Sequence, residues 1–266
     1  MKVVILTGSE TRHEFFRKTI ASDKRISVLS TYCEGTEKSL ENRVNTNESS
    51  SVLELQHVQA RTQSEKDFFQ LYLENTTDKS NPQFICKGGI NDDGVVNDII
   101  NQEPDLLICY GSSLIKSRLL DEFRGRFLNV HLGLSPYYRG SGTNMWPLIN
   151  EEPENIGATF IHIDDGIDTG KIIHQIRADI FLGDSPHSIG NRLISKMTLT
   201  YADLIANFEK LEEEDQPNSS GKLYTQKDFD KTACLNLYQK FYDGIIEKHL
   251  NTEKEYSYIV KNKGLE

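Results

Sequence analysis

Apolar and polar positions alternate in blocks along the first half of the chain, and the period of the blocks changes from one to the next. Val3 to Thr7 is a short β-branched run that closes on Gly8-Ser9-Glu10-Thr11, which predicts a strand, a loop and a helix start in that order. Phe15, Phe16 and Ile20 continue at helical spacing, and Ile26 to Thr31 predicts a second strand. Residues 34–50 are polar and rich in Glu, Asn and Ser, so they predict a loop or a loose insertion. Helical spacing returns between Val58 and Leu73, and Gln83 to Cys86 predicts a strand. Val95, Val96, Ile99 and Ile100 mark a further helix ahead of the apolar run Leu106 to Tyr110, with another short strand from Phe127 to His131. Strands separated by helices predict the α/β class: a doubly wound, mostly parallel sheet with helices on both faces.

The second half continues the pattern. Ala158 to Ile163 and Ile172 to Ile176 are strand candidates on either side of the turn-rich segment Asp164 to Gly170. Ser185-Pro186 supplies a cap followed by proline at the first helical position, and Leu193, Ile194, Met197, Tyr201, Leu204 and Ile205 then recur at steps of three and four. Glu212 to Gly221 is an acidic linker, and Leu235, Leu237, Phe241, Ile245 and Ile246 predict one more helix. The expected division is a catalytic domain over 1–211 and a linker with a helical C-terminal extension over 212–266.

Composition narrows the partners. The 266 residues carry 30 Lys and Arg against 40 Asp and Glu, a formal charge of -10. Nucleic acid and anionic membrane surfaces call for clustered positive charge, so neither is an expected partner. No apolar run reaches the roughly 20 residues that cross a bilayer, and the opening Met1 to Gly8 turns polar too soon for a signal peptide. The four cysteines, Cys33, Cys86, Cys109 and Cys234, form no C-x-x-C pair. That spacing predicts neither a disulfide scaffold nor a cysteine zinc site, and fits a reducing cytoplasm.

Candidate chemistry gathers where an open parallel sheet binds its ligands, beyond the carboxyl ends of the strands. Asn129 and His131 are two apart on a predicted strand, so both side chains leave the same face. Asp168 lies in the acidic turn that follows. An amide, an imidazole and a carboxylate together supply a donor, a base and a group to orient the base. Each taken alone also fits a turn or a hydrogen-bonded structural residue. His162 and His174 sit in strand-like runs and are expected to be structural. At Thr7 to His13, Arg12 stands at a helix start where an anion could bind, but Glu10 beside it opposes one.

The order Asn129, His131, Leu134, Pro136, Arg139, Gly140, followed by Asp168 and Gly170, follows the pattern N-x-H-x-x-L-x-P-x-x-[KR]-G with a later D-x-G turn. With Pro104 to Leu107 leading into Tyr110 to Ile115, it resembles the 10-formyltetrahydrofolate-dependent formyltransferases. The resemblance implies a Rossmann-like core and transfer of a formyl group from 10-formyltetrahydrofolate, a co-substrate, to a primary amine without a metal. It implies that Asn129, His131 and Asp168 are catalytic. It places the folate against Ser113, Leu114 and Ile115 and against Asp164, Asp165, Gly166 and Ile167.

Among the branches of that family the chain is most similar to the sugar N-formyltransferases, in length and in a tail that begins near Gly221-Lys222-Leu223-Tyr224. That branch implies a nucleotide-linked amino sugar as acceptor, a place in surface polysaccharide biosynthesis, and substrate contacts from Tyr137, Tyr138, Arg139 and Trp146. A symmetric homodimer is the default expectation. Core packing is the alternative for the aromatics. The alternative activities are a glycinamide ribonucleotide formyltransferase-like enzyme and a formyltetrahydrofolate hydrolase, in which water replaces the amine. The segment over 34–75 has no counterpart in the family pattern and no assigned role.

Overall fold

A computed structural model describes residues 1–37, 39–217, 221–253 and 255–265. The part of the acidic linker at 218–220 lies outside the described residues. Seven strands form the main sheet: β1 (Lys2–Gly8), β2 (Ser27–Glu34), β3 (Pro82–Ile85), β4 (Leu106–Tyr110), β5 (Phe127–His131), β7 (Gly157–His162) and β8 (Ile172–Arg177). Their order is β3-β2-β1-β4-β5-β7-β8. The first five run parallel, and β7 and β8 each pair antiparallel with the preceding strand in that order. A small parallel pair joins β6 (Tyr138–Gly140) to β9 (Lys222–Tyr224).

Alternation along the central strands builds two cores at once. Val3 and Ile5 of β1 and Leu106, Ile108 and Tyr110 of β4 join one apolar cluster, while Val4, Leu6, Leu107 and Cys109 join the other. The second cluster is closed by α4 (Asp93–Asn101) and α5 (Ser117–Glu122). The larger one is closed by α1 (Thr11–Ser22), α3 (Val52–Asn75) and α7 (Pro186–Ala206). Completely buried strands with apolar residues on both faces are what a helix-covered parallel sheet requires.

Two expectations need correction. Residues 34–50 are not simply a loop: α2 (Leu40–Thr46) forms there, with the Ser39 side chain accepting from the Asn42 amide. The following helix, α3, begins at Val52 rather than near Val58 because Ser51 and Glu54 make a reciprocal capping box. That S-x-x-E signature lies within a polar serine run, and polarity masked it. The tail is also more than a helix. It carries β9, then α8 (Lys231–Tyr242) and α9 (Ile245–Asn251), and α6 (Trp146–Ile149) of the body packs on α8. Ala233, Cys234, Leu237, Ile245 and Ile246 belong to the larger core cluster. Beyond them the chain returns along β8, where the Gln175 amide donates to the Val260 carbonyl at 2.8 Å and Asn262 Nδ2 donates to the Ile173 carbonyl at 2.8 Å. This arm covers what would otherwise be an open sheet edge.

Candidate active site

The carboxyl ends of β1, β4 and β5 open into a cavity of about 750 Å³. Its floor is set by strand register. Asn129 pairs with Cys109 on one side and Ile161 on the other, and His131, the last residue of β5, stands opposite Thr159. Both line the cavity, Asn129 half-buried and His131 buried.

His131 is held at both nitrogens. Its Nε2 lies 2.9 Å from the carbonyl oxygen of Tyr138, and its Nδ1 lies 3.2 Å from Asp168 Oδ2. The carbonyl can only accept, so Nε2 carries a hydrogen, and Nδ1 is the nitrogen left to face the carboxylate. Asp168 is itself fixed: Oδ2 accepts from the Gly140 amide at 2.8 Å, and Gln216 Nε2 donates to the carbonyl oxygens of Asp168 and Gly170 at 2.8 Å each. Asp168 adopts the left-handed region, φ +54. Asp164 Oδ1 accepts from the Gly166 amide and from Thr169 Oγ1, closing the same turn.

The loop after β4 forms another side. Gly111 takes φ +75, and a Cβ there would meet His13 Nε2 at 2.3 Å, so only glycine lets the loop pass α1. Ser113, Leu114 and Ile115 follow and line the cavity, together with Asp164, Gly166 and Ile167 of the other loop. Asp165 is exposed and does not line it. Leu114 and Ile167 keep 68% and 47% of their surface exposed, one on each loop, so each loop offers apolar surface to the cavity.

Behind this loop the carboxylate of Glu34 is fully buried. It accepts from the Ser113 amide at 2.5 Å, the Gly88 amide at 2.9 Å and Lys87 Nζ at 2.9 Å. Burial pushes its pKa up, but Lys87 and the Ser113 hydrogen bonds outweigh that and hold it below the ordinary carboxylate value.

The four expected acceptor contacts lie elsewhere. None of Tyr137, Tyr138, Arg139 and Trp146 lines the cavity. Tyr138 and Trp146 are buried, with rings stacked on Tyr224 at 6.0 and 4.3 Å between centroids, and the Tyr138 hydroxyl donates to Glu152 at 2.6 Å. Tyr137 packs half-buried against the larger core, and Arg139 is half-buried with Nε enclosed by protein. The stacking of the tail strand β9 on this loop turns the aromatics inward. Tyr138 still acts on the site, through its backbone carbonyl.

Several lining residues belong to no catalytic motif in the sequence: His13, Glu34, Arg43, Glu65 and Asn191. The step of four between Arg61 and Glu65 on α3 is the one local pattern that marks this wall. At the start of α1, Arg12 is paired with Glu10 and Glu65, so an anion site there is closed from within. His162 pairs with Glu213 at 2.9 Å and His174 accepts from the Asn262 amide at 3.0 Å. No group of three or more His, Cys, Asp or Glu suited to a metal occurs among the described residues, and no described helix is long and apolar enough to cross a membrane.

Residues 1–204 match the model of a protein family described as formyl transferase, and the chain belongs to that family. Within it, a methionyl-tRNA formyltransferase of Finegoldia magna is 29% identical over 198 residues, 65% of this chain and 63% of its own length. A GDP-perosamine N-formyltransferase of Brucella melitensis is 32% identical over 111 residues, 41% of this chain and 42% of its own. These alignments thus span less than two thirds of either relative. A solved sugar N-formyltransferase from Shewanella shares the fold, with a TM-score of 0.58 at 17% identity, over 90% of this chain and 87% of that one.

Proposed function

We propose that the protein transfers a formyl group from 10-formyltetrahydrofolate to a primary amine of a nucleotide-linked amino sugar, with Asn129, His131 and Asp168 as the catalytic residues. The observation that carries the reading is the His131–Asp168 contact beside Asn129 at the end of β5. In this reaction a bond forms between the amine nitrogen and the formyl carbon, and the bond from that carbon to the folate nitrogen breaks. Negative charge grows on the formyl oxygen in between. The Asn129 amide donates to it from a position fixed by the β5 ladder at the floor of the cavity. With Nε2–H committed to the Tyr138 carbonyl and Nδ1 turned to Asp168, the amine proton is taken up by the His131–Asp168 pair, the carboxylate stabilising the imidazolium that results. The proton then passes to the departing folate nitrogen.

The residues present suit a folate as co-substrate. The flat heterocycle fits between Leu114 and Ile167, and the backbone of the Ser113 to Ile115 and Asp164 to Ile167 loops supplies fixed donors and acceptors. The net charge of -10 favours a small acceptor over a transfer RNA.

The test is tetrahydrofolate release from 10-formyltetrahydrofolate with a panel of nucleotide-linked 3-amino and 4-amino sugars, glycinamide ribonucleotide, and no amine. Release that depends on one amino sugar supports the proposal. Release with glycinamide ribonucleotide alone, or with no amine, replaces it by the purine-type enzyme or by the hydrolase.

A further inference from the structure

The wall that α3 gives to the cavity plays no part in the chemistry above. His57, Arg61 and Glu65 stand at steps of four on that helix and therefore share a face, and all three line the cavity. Four cationic side chains line it in total, and three have their terminal donors engaged within the protein. Arg12 lies between Glu10 and Glu65. Arg43 donates from Nη1 and Nη2 to the carbonyls of Gln226 and Phe229, at 2.5 and 3.2 Å. Lys87 holds Glu34 at 2.9 Å.

Arg61 differs from these. Its Nε donates to Glu65 Oε1 at 3.2 Å, and among the described residues nothing accepts from its terminal nitrogens. Glu65 is buried and holds the guanidinium at Nε alone, which leaves the fork of Nη donors for a ligand. A planar fork of that kind matches two oxygens of a phosphate. Over the whole lining Arg12, Arg43, Arg61 and Lys87 stand against five carboxylates, Glu10, Glu34, Glu65, Asp164 and Asp168, so the preference for an anion is local to the Arg61 fork.

One turn back from Arg61, His57 faces His187 of α7, with ring centroids 5.0 Å apart. The hydroxyl of Tyr238 on α8 joins them, 3.0 Å from His57 Nδ1 and 3.5 Å from His187 Nε2. Burial first, then the nearby positive charges, lowers the His57 pKa to about 3 and the His187 pKa to about 4. Both rings are neutral at neutral pH, and with Tyr238 against His57 Nδ1 and His187 Nε2, one nitrogen of each ring is left to meet a ligand without adding charge.

We infer that Arg61, with the imidazoles of His57 and His187, forms a subsite for a phosphate-bearing acceptor: Arg61 takes the phosphate oxygens, and the imidazoles meet uncharged groups attached to it. The inference deepens the proposed function, and it rests on that reading for the claim that the phosphate belongs to the acceptor.

Calorimetric titration of the full chain with nucleoside diphosphates, ribose 5-phosphate and an uncharged nucleoside tests it without requiring any transfer. The nucleoside diphosphate should bind the wild type and bind Arg61→Ala about 10- to 100-fold more weakly, the range for loss of a charge-assisted pair of hydrogen bonds. Arg61→Lys keeps the charge without the fork and should fall between the two. It also serves as the reading if the alanine variant fails to fold. Where an acceptor is found, Arg61→Ala should raise its KM more than it lowers kcat. Equal affinity in wild type and Arg61→Ala, tighter binding of the uncharged nucleoside, or no binding of any phosphate compound would each overturn the inference. If phosphate binding depends on Arg61 but no amine is formylated, the proposed function falls and the subsite stands. If transfer proceeds without Arg61-dependent binding, the reverse holds.

Discussion

The floor of the cavity and its α3 wall bound the same space but are built by different physics. On the floor, Asn129 and His131 point where β5 points them, and β5 is pinned on both sides by the hydrogen bonds of β4 and β7. On the wall, Arg12, Arg61 and Glu65 are aimed by one another, across α1, α3 and α7, which are joined by side-chain contacts rather than by a backbone ladder. A strand ladder tolerates no drift, since a slip of one residue turns every side chain to the other face. A helical wall can exchange its polar residues without moving the sheet. The comparison teaches a division of labour: a reacting group that needs sub-ångström placement sits on the ladder, and groups that select a ligand sit where they can vary.

The largest effect that could break this division belongs to the floor. His131→Ala removes the proposed base and should lower kcat for formyl transfer by about 10²- to 10⁴-fold. Folding should be retained, because Asp168 keeps the Gly140 amide when the ring is removed. Tetrahydrofolate release under saturating substrates measures it. A loss of tenfold or less would mean that the ladder position carries structure rather than chemistry.

The next effect concerns what supports the floor from behind. Tyr224 of the tail is buried between the Trp146 ring at 4.3 Å and the Tyr138 ring at 6.0 Å, and its hydroxyl accepts from Asn150 at 2.9 Å. Tyr224→Ala should cost about 3–5 kcal/mol in denaturant unfolding, the range for deleting a buried aromatic ring. The tail shares the larger core cluster with the sheet. The variant should therefore unfold in a single transition, and a separate early transition would show the tail to be an independent unit.

This tail also marks the boundary of what could be read in advance. The strands, their mostly parallel order and the Asn129–His131 spacing are local patterns of period two, and they are legible because strand geometry converts sequence spacing directly into direction. The contact between His131 and Asp168 spans 37 positions, from 131 to 168, and became legible only through the family pattern that both residues complete. Trp146 and Tyr138 stack on Tyr224 rather than line the cavity, a difference hidden in the sequence because an aromatic residue near a catalytic loop reads the same whether it faces a ligand or a tail strand arriving from residue 222. The α3 wall was opaque for a similar reason. Its partners Arg12 and Glu65 lie 53 positions apart, and a helix shows its periodic face without showing what that face meets.

Acid should separate wall from floor by a smaller amount. His57 and His187 are held near pKa 3 and 4 in the folded protein, whereas an unfolded chain protonates them near 6.5. As pH falls below about 6.5 the unfolded state takes up protons that the folded state refuses. Stability is therefore fully present above that pH and is lost as pH falls toward 4 and then 3, at up to about 1.4 kcal/mol per pH unit for each ring. Glu34, whose folded pKa lies below its ordinary 4.5, adds to the loss only below that value. Urea unfolding at pH 7 and pH 5 measures the slope, and His57→Gln should remove its share. An unchanged slope in that variant would move the acid sensitivity away from the wall.

The smallest effect tests how the wall is held shut. The seven residues of α2 are too few for a helix that stands alone, and Arg43 ties it to the tail through the carbonyls of Gln226 and Phe229. Arg43→Ala should cost about 1 kcal/mol or less, since two partly exposed hydrogen bonds to carbonyls exchange for bonds to water. Local opening should respond more than global stability. Amide exchange over residues 40–46 and 222–230 should speed up in both segments together, while α7 keeps its protection. Acceleration confined to 40–46 would show that β9, held by its pairing with β6, needs no help from α2. In that case the helical wall leans on the tail without bracing it, and the dependence between these two parts of the cavity runs in one direction only.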